Sequence, residues 1–348
     1  MRIAMIAPLY ESVPPLLYGG TERVVSFLTE ELVAQGHDVT LFASGDSVTK
    51  ATLVPVWDRA LRLDARDPEA TSLHVLMLEQ VFRRAREFDV MHFHIDAIQL
   101  PMARRSPVPC VMTMHGRLDL TGLKELYDEY VELPLVSISN AQRAPLPDAP
   151  WAATVYHGLP ADLFQPNGHP GEYLAFLGRI SPEKRVDRAI EIARQSGVPL
   201  RIAAKVDRVD REYFERRIEP MIDGDFIQYL GEIDDDGKGQ FLREALALLF
   251  PIDWPEPFGL AMIEAMAAGT PVLAFPCGSV REVIDVGITG HIVESVEQAV
   301  SHVPDLHTWD RQRCREQFER RFTAERMAHD YVNVYRHVID VKARRRCA

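Results

Sequence analysis

The fold class predicted by this sequence is α/β, as two doubly wound parallel-sheet domains, and three observations predict it. Short apolar runs recur between amphipathic stretches along the whole chain. These runs are continuously apolar rather than alternating, as strands covered on both faces are. The length, 348 residues, exceeds what a single hydrophobic core usually serves.

In the first half the candidate strands are residues 3–9, 39–44, 90–94, 110–115, 135–139 and 153–157. In the second half they are 173–178, 200–205, 227–231, 247–251, 271–275 and 290–295. Helical periodicity between them predicts helices over 21–35, 181–196 and 210–222, with Thr21 as the first N-cap and Pro182 at a first helical position. The break falls at 158–172, a Pro- and Gly-rich stretch without helical period. The expected domains are 1–160 and 161–322. A closing segment, 323–348, carries a helical pattern over 323–341 long enough to cross back onto the first domain.

Composition narrows the function. Hydrophobic content is 47% and charged content 26%, with 39 basic against 51 acidic residues and a formal charge of −12. Neither half has the basic excess that nucleic acid or an anionic bilayer selects, so neither is expected as a partner. The basic cluster Lys342–Arg346 reads as a solvated end or as a membrane tether. Four cysteines lack metal-like or disulfide-like spacing. No apolar stretch approaches the ~18 residues that span a bilayer, and the expected location is cytoplasmic.

The chemistry lies at strand ends, where two-domain α/β proteins bind ligands. Gly19 and Gly20 follow the first strand and open a helix; they make either a tight turn or a close approach to an anion. Arg179 ends a strand and Lys184 is expected at the start of the next helix. Such a pair suits a diphosphate, or else forms surface charge. In "PEPFGLAMIEAMAAGTPV", 255–272, prolines on both sides of Glu256 keep its loop extended. The helix therefore begins at Phe258–Gly259 with free N–H groups. Glu264 is a lone charge in an apolar helix and needs a buried donor, either ligand hydroxyls or an Arg from elsewhere. His92, His94 and Asp96 have metal-like spacing or simply pack. Asp234–Asp236 contains Asp-x-Asp, read as a solvated helix start rather than a metal–diphosphate motif.

Taken together, the Glu-x7-Glu element (Glu256, Glu264), "GRISPEK" at 178–184, the glycine pair and "GSVREVIDVGITGHIV" at 278–293 resemble the family 4 glycosyltransferases. The resemblance runs over nearly the whole chain. It implies the GT-B arrangement of two facing Rossmann-like domains, and sugar transfer from a nucleotide diphosphate-sugar with retention, without cofactor or metal. By that resemblance Arg179 and Lys184 hold the diphosphate, and the N–H groups around Phe258, Gly259 and Leu260 bind phosphate. Glu256 takes a sugar hydroxyl, Glu264 the ribose, and His115 lies near the reacting end of the sugar. Gly19 and Gly20 match the loop near phosphates and acceptor. Lys205 stands where the family has a Gly-rich turn and is a further phosphate or base contact. Several stretches are similar to a bacterial subgroup acting on a pterin with UDP-glucose, which implies a small soluble acceptor. A nucleotide-sugar epimerase and a non-catalytic sugar-nucleotide binder are the competing readings.

Overall fold

The computed structural model describes residues 1–17 and 19–347, without the side chains of Asp236 and residues 345–347. Tyr18 of the glycine-pair motif, the third acid of Asp234–Asp236 and the end of the basic tail thus lie outside the described part. Two compact units result, Met1–Gly158 with Ala324–Ala348, and Leu159–Thr323.

The first unit has a seven-stranded parallel sheet in the order β3-β2-β1-β4-β5-β6-β7. Its strands are β1 (Arg2–Ile6), β2 (Asp38–Ser44), β3 (Thr52–Trp57), β4 (Val90–Phe93), β5 (Cys110–Thr113), β6 (Leu135–Ser137) and β7 (Trp151–Thr154). The principal helices are α1 (Gly20–Ala34), α2 (Ala70–Arg83) and α3 (Leu123–Glu129). Central strands β1 and β4 are buried almost throughout, which is why they read as unbroken apolar runs. Two expectations need correction. β3 was not predicted, because an edge strand half open to solvent and carrying Pro55 lacks the continuous apolar signal. Thr21 does not cap α1; Gly19 does, with no side-chain hydrogen bond.

The chain's last helix, Ala324–Cys347, belongs to this unit. Tyr335 OH lies 2.7 Å from His92 Nδ1, and Tyr331 OH lies 2.9 Å from Thr113 Oγ1. All four groups are buried, so each supplies the partner without which the other would be costly inside the core.

The second unit has a six-stranded parallel sheet, β10-β9-β8-β11-β12-β13. Its strands are β8 (Tyr173–Arg179), β9 (Leu200–Lys205), β10 (Ile227–Gly231), β11 (Ala245–Phe250), β12 (Val272–Ala274) and β13 (Gly290–Ile292). The principal helices are α4 (Val186–Ser196), α5 (Asp235–Arg243), α6 (Leu260–Ala267), α7 (Val296–His302) and α8 (Arg311–Arg321). All six strands match the apolar runs of the sequence. The helices differ more. The expected helix over 181–196 is a 3-10 turn, Pro182–Lys184, then Arg185 at φ 55°, then α4. The pattern over 210–222 breaks into a short α turn, a π turn at Phe214–Ile218 and a 3-10 turn. Pro220 lies in that stretch and cannot donate an N–H to a continuous helix.

Candidate active site

In the second unit, parallel pairing sets Arg179 opposite Lys205, each the last residue of its strand. Two cations predicted separately thus stand side by side at the sheet's carboxyl edge, and both already hold acids. Arg179 Nη2 bonds Glu183 Oε1 at 2.6 Å, with Asp207 at 3.6 Å and Asp210 at 3.7 Å. Lys205 pairs with Asp207 at 2.9 Å. Burial pushes the Glu183 carboxyl up, but the hydrogen bonds from its own backbone, Ser181 and Arg179 outweigh this and hold it below its ordinary range. Asp210 goes the other way, raised by burial despite Arg179.

Lys184 lies in the 3-10 turn that precedes α4, not at the start of a long helix as expected. The turn is tied to the next loop by Asp253 N–H donating to Glu183 O at 2.9 Å. That loop leaves β11, whose six residues are all buried, and carries Glu256. Lys184 Nζ forms an ion pair with Glu256 Oε2, to which Trp254 Nε1 donates at 2.9 Å. Lys184 also sits 4.9 Å from the Trp254 ring centre. Trp254 was not among the expected site residues, although it stands two positions from Glu256 in the proline-rich loop.

The loop is braced from behind. Ser279 N–H donates to Glu256 O at 3.0 Å, and Ser279 Oγ to Phe258 O at 2.7 Å. Gly278, at φ 59°, approaches so closely that a Cβ there would fall 2.2 Å from Glu256 O. Only glycine fits both the angle and the contact. The helix α6 begins at Leu260, later than Phe258–Gly259, because Gly259 takes a left-handed conformation (φ 82°) as N-cap. No side chain caps the helix; Met262 N–H donates to Gly259 O at 3.0 Å, and the positive end of the dipole lies at Leu260 and Ala261. Phe258 itself is buried and packs edge-on against Phe322 at 6.1 Å; its side chain is core.

Glu264 is 5% exposed. In place of the Arg that the sequence offered as a structural partner stands a lysine: Lys238 Nζ of α5 lies 3.4 Å from Glu264 Oε1 and 3.2 Å from Asp235. The lysine comes from the acidic helix start, where Asp234 Oδ1 accepts from Gly237 N–H at 2.9 Å as an N-cap.

In the first unit the glycine pair opens α1. A Cβ on Gly19 would fall 2.7 Å from Pro15 Cβ and 3.2 Å from Glu11 Cγ, so the loop folds tightly on itself. Imidazoles gather around the carboxyl ends of β4, β5 and β7: His92 lies within β4, and His94, His115 and His157 follow the strands. His94 Nδ1 and His115 Nε2 are 2.8 Å apart, His92 Nε2 reaches Thr113 Oγ1 at 2.7 Å, and His115 stacks on His157 at 5.3 Å. Burial lowers the pKa of all four, that of His115 to about 3. The rings are neutral hydrogen-bonding groups at physiological pH. His92 and His94 pack through side-chain partners.

Residues 162–316 match the family Glycosyl transferases group 1, and residues 18–161 match Glycosyltransferase Family 4. The chain is a glycosyltransferase of the group 1/family 4 type, with the GT-B fold. Among the relatives of this glycosyltransferase is the phosphatidyl-myo-inositol mannosyltransferase of Mycobacterium leprae (strain TN). It is 27% identical over 325 residues, 86% of this chain and 85% of that protein. Among solved structures, sucrose-phosphate synthase from Thermosynechococcus elongatus superposes with a TM-score of 0.80 at 18% identity, over 98% and 100% of the two chains. The Anabaena protein HepE in complex with UDP gives 0.73 at 16% identity, over 96% and 99%. Among the described residues of the glycosyltransferase, no helix is long and apolar enough to cross a membrane.

Proposed function

We propose that this glycosyltransferase moves a hexose from a nucleotide diphosphate-sugar to an acceptor hydroxyl with retention, and without a metal at the transfer site. The observation that carries the reading is the Lys184–Glu256 ion pair. A cation suited to a phosphate touches an acid suited to a sugar hydroxyl, so a sugar–phosphate linkage laid along the pair engages both. Arg179 stands at the neighbouring strand end, and the uncapped N-terminus of α6 supplies N–H groups. As the bond to the sugar breaks, negative charge grows on the diphosphate. Fixed cations and helix N–H groups stabilise it without reorganising.

The acids now on Arg179 and Lys184 matter here. The diphosphate exchanges with carboxylates already in place, so the cations are never stripped of a counter-charge. Glu256, released by Lys184, keeps the Trp254 N–H and gains a sugar hydroxyl. No carboxylate in this cluster is free of such duties to form a covalent glycosyl intermediate, which favours attack from the face the phosphate leaves. Glu264 takes the ribose, Lys205 the base or a phosphate, and His115 and the Gly19–Gly20 loop serve the sugar and acceptor, as the resemblance implies.

UDP-glucose is the donor and a pterin the small soluble acceptor of this reading, both resting on the resemblance. The mannosyltransferase name of the mycobacterial relatives makes mannose the rival sugar, for which GDP-mannose serves as a probe. Calorimetry with UDP, UDP-glucose and GDP-mannose on the wild type and Glu256→Gln tests the site. The variant should keep its affinity for UDP and lose the extra affinity given by the sugar. Equal losses for UDP and UDP-glucose, or no nucleotide-sugar binding at all, would overturn it.

A further inference from the structure

A second cluster lies outside this site, at the edge of the second unit's sheet. His291 is the middle residue of the edge strand β13, His302 ends α7, and Asp305 follows in the 3-10 turn Pro304–Thr308. One ligand atom from each lies within 4.8 Å of the other two, and among the described residues no other His/Cys/Asp/Glu group meets that condition. His302 Nδ1 and Asp305 Oδ2 are 3.5 Å apart. That is long for a hydrogen bond, but it is close to the ~3.4 Å edge of a tetrahedron built on metal–ligand bonds of about 2.1 Å.

The third member supplies an independent sign. His291 Nε2 is buried and has no hydrogen-bond partner, a state that ordinarily costs about 1–3 kcal/mol. Its ring is held between the His302 ring, stacked at 3.9 Å and 18°, and the Trp309 ring, edge-on at 5.0 Å and 72°. A groove lined by His291, Asp305, Trp309, Asp310 and Arg313 opens the cluster to solvent. In it the charge of Asp310 offsets that of Arg313.

We propose that His291, His302 and Asp305 bind a divalent transition-metal ion of the zinc class, with water completing its shell. Two imidazoles and one carboxylate favour such an ion over the hard, all-oxygen preference of Mg2+ and Ca2+. Binding requires the His302 ring to turn out of its stack, which a side chain 28% exposed at a helix end can do. The ion would staple β13, paired only with β12, to α7 and the turn after it. Three strand spacings, about 14 Å, separate β13 from β8, so the ion serves the stability of this unit rather than sugar transfer.

The test uses the full chain without a histidine tag, freed of metal by chelation. Calorimetric titration with Zn2+ should show saturable uptake of about one ion per chain, with a raised Tm. Co2+ in its place should give the visible absorption of a four-coordinate site. His302→Ala, at a helix end, and Asp305→Ala, at an exposed position, should leave the far-ultraviolet circular dichroism intact. Each should weaken uptake by at least the ~10–100-fold that loss of a mere supporting group costs. Absence of saturable uptake at micromolar Zn2+ overturns the proposal. So does uptake unchanged in both variants, which would put the ion elsewhere, or an equal Tm rise with Mg2+ alone.

Discussion

The two units share an architecture and handle polar groups in opposite ways. In the first unit His92, inside β4, and His94, His115 and His157, past strand ends, stand neutral and packed against one another. At the strand ends of the second stand Arg179, Lys184 and Lys205, each in an ion pair. A parallel sheet gathers its functional residues at one edge in either case. What differs is whether they are stored uncharged or stored as exchangeable pairs, and the two kinds of storage respond to different perturbations.

Acid should break the comparison most sharply. A histidine whose folded pKa lies below its ordinary 6.5 is neutral in the native state, and the unfolded chain takes up the proton first. Its stability contribution is therefore whole above about pH 6.5 and lost as pH falls below it. With four such groups the loss approaches ~5 kcal/mol per pH unit while all four titrate only in the unfolded chain. Hydrogen exchange read peptide by peptide from pH 7 to 5 should show residues 1–158 losing protection before 159–323. Simultaneous loss in both units would contradict the contrast.

Lys184→Ala should leave that pH response alone and act on turnover. Removing one fixed cation from a developing phosphate charge should lower kcat by ~10²–10³-fold, or about 3–4 kcal/mol. Near-wild-type transfer by the variant would refute the role of Lys184. A smaller effect, read on stability, is expected of Lys238→Met. It strands the buried Glu264 carboxylate, which should cost about 2–4 kcal/mol in urea unfolding. Adding Glu264→Gln to that variant should restore most of the loss, because no unpaired charge then remains. If the double variant is no better than the single one, the pair does not carry the energy.

These residues also mark how far the sequence could be read. Arg179, Lys184, Lys205, Glu256 and Glu264 each sit beside a local signal, such as a strand end, a proline-stiffened loop or a charge inside an apolar helix. Lys238 has none: it looks like one more solvated residue in an acidic helix start, 26 positions from the carboxylate it meets. The partners of His92 are likewise non-local, Tyr335 lying 243 residues away in sequence. The strand β3 stayed hidden because an edge position removes the burial that makes a strand legible. Periodicity reports which face is buried; it does not report against what.

The smallest predicted effect tests the first unit from inside. Glu22 of α1 is 6% exposed, two residues after the glycine pair. Burial, then the nearby Glu11, raise its pKa to about 7, against hydrogen bonds from its own and the Glu11 backbone and the charge of Arg62. Glu11 itself is paired with Arg62 at 2.6 Å. The sign is opposite to that of the histidines. The folded state holds this proton longer than the unfolded one, so stability falls as pH rises from about 4.5 to about 7 and stays low above. Glu22→Gln removes the ionised form and should be stabilising at pH 8, by on the order of 1–2 kcal/mol once the amide's own unpaired donors are set against the ~3 kcal/mol of the shift. At pH 5, where Glu22 is already protonated in the fold, the same substitution should change stability little. Urea unfolding of both proteins at the two pH values decides it. An equal effect at both would mean that Glu22 matters for packing and not for charge, and the first unit would then store only histidines in uncharged form.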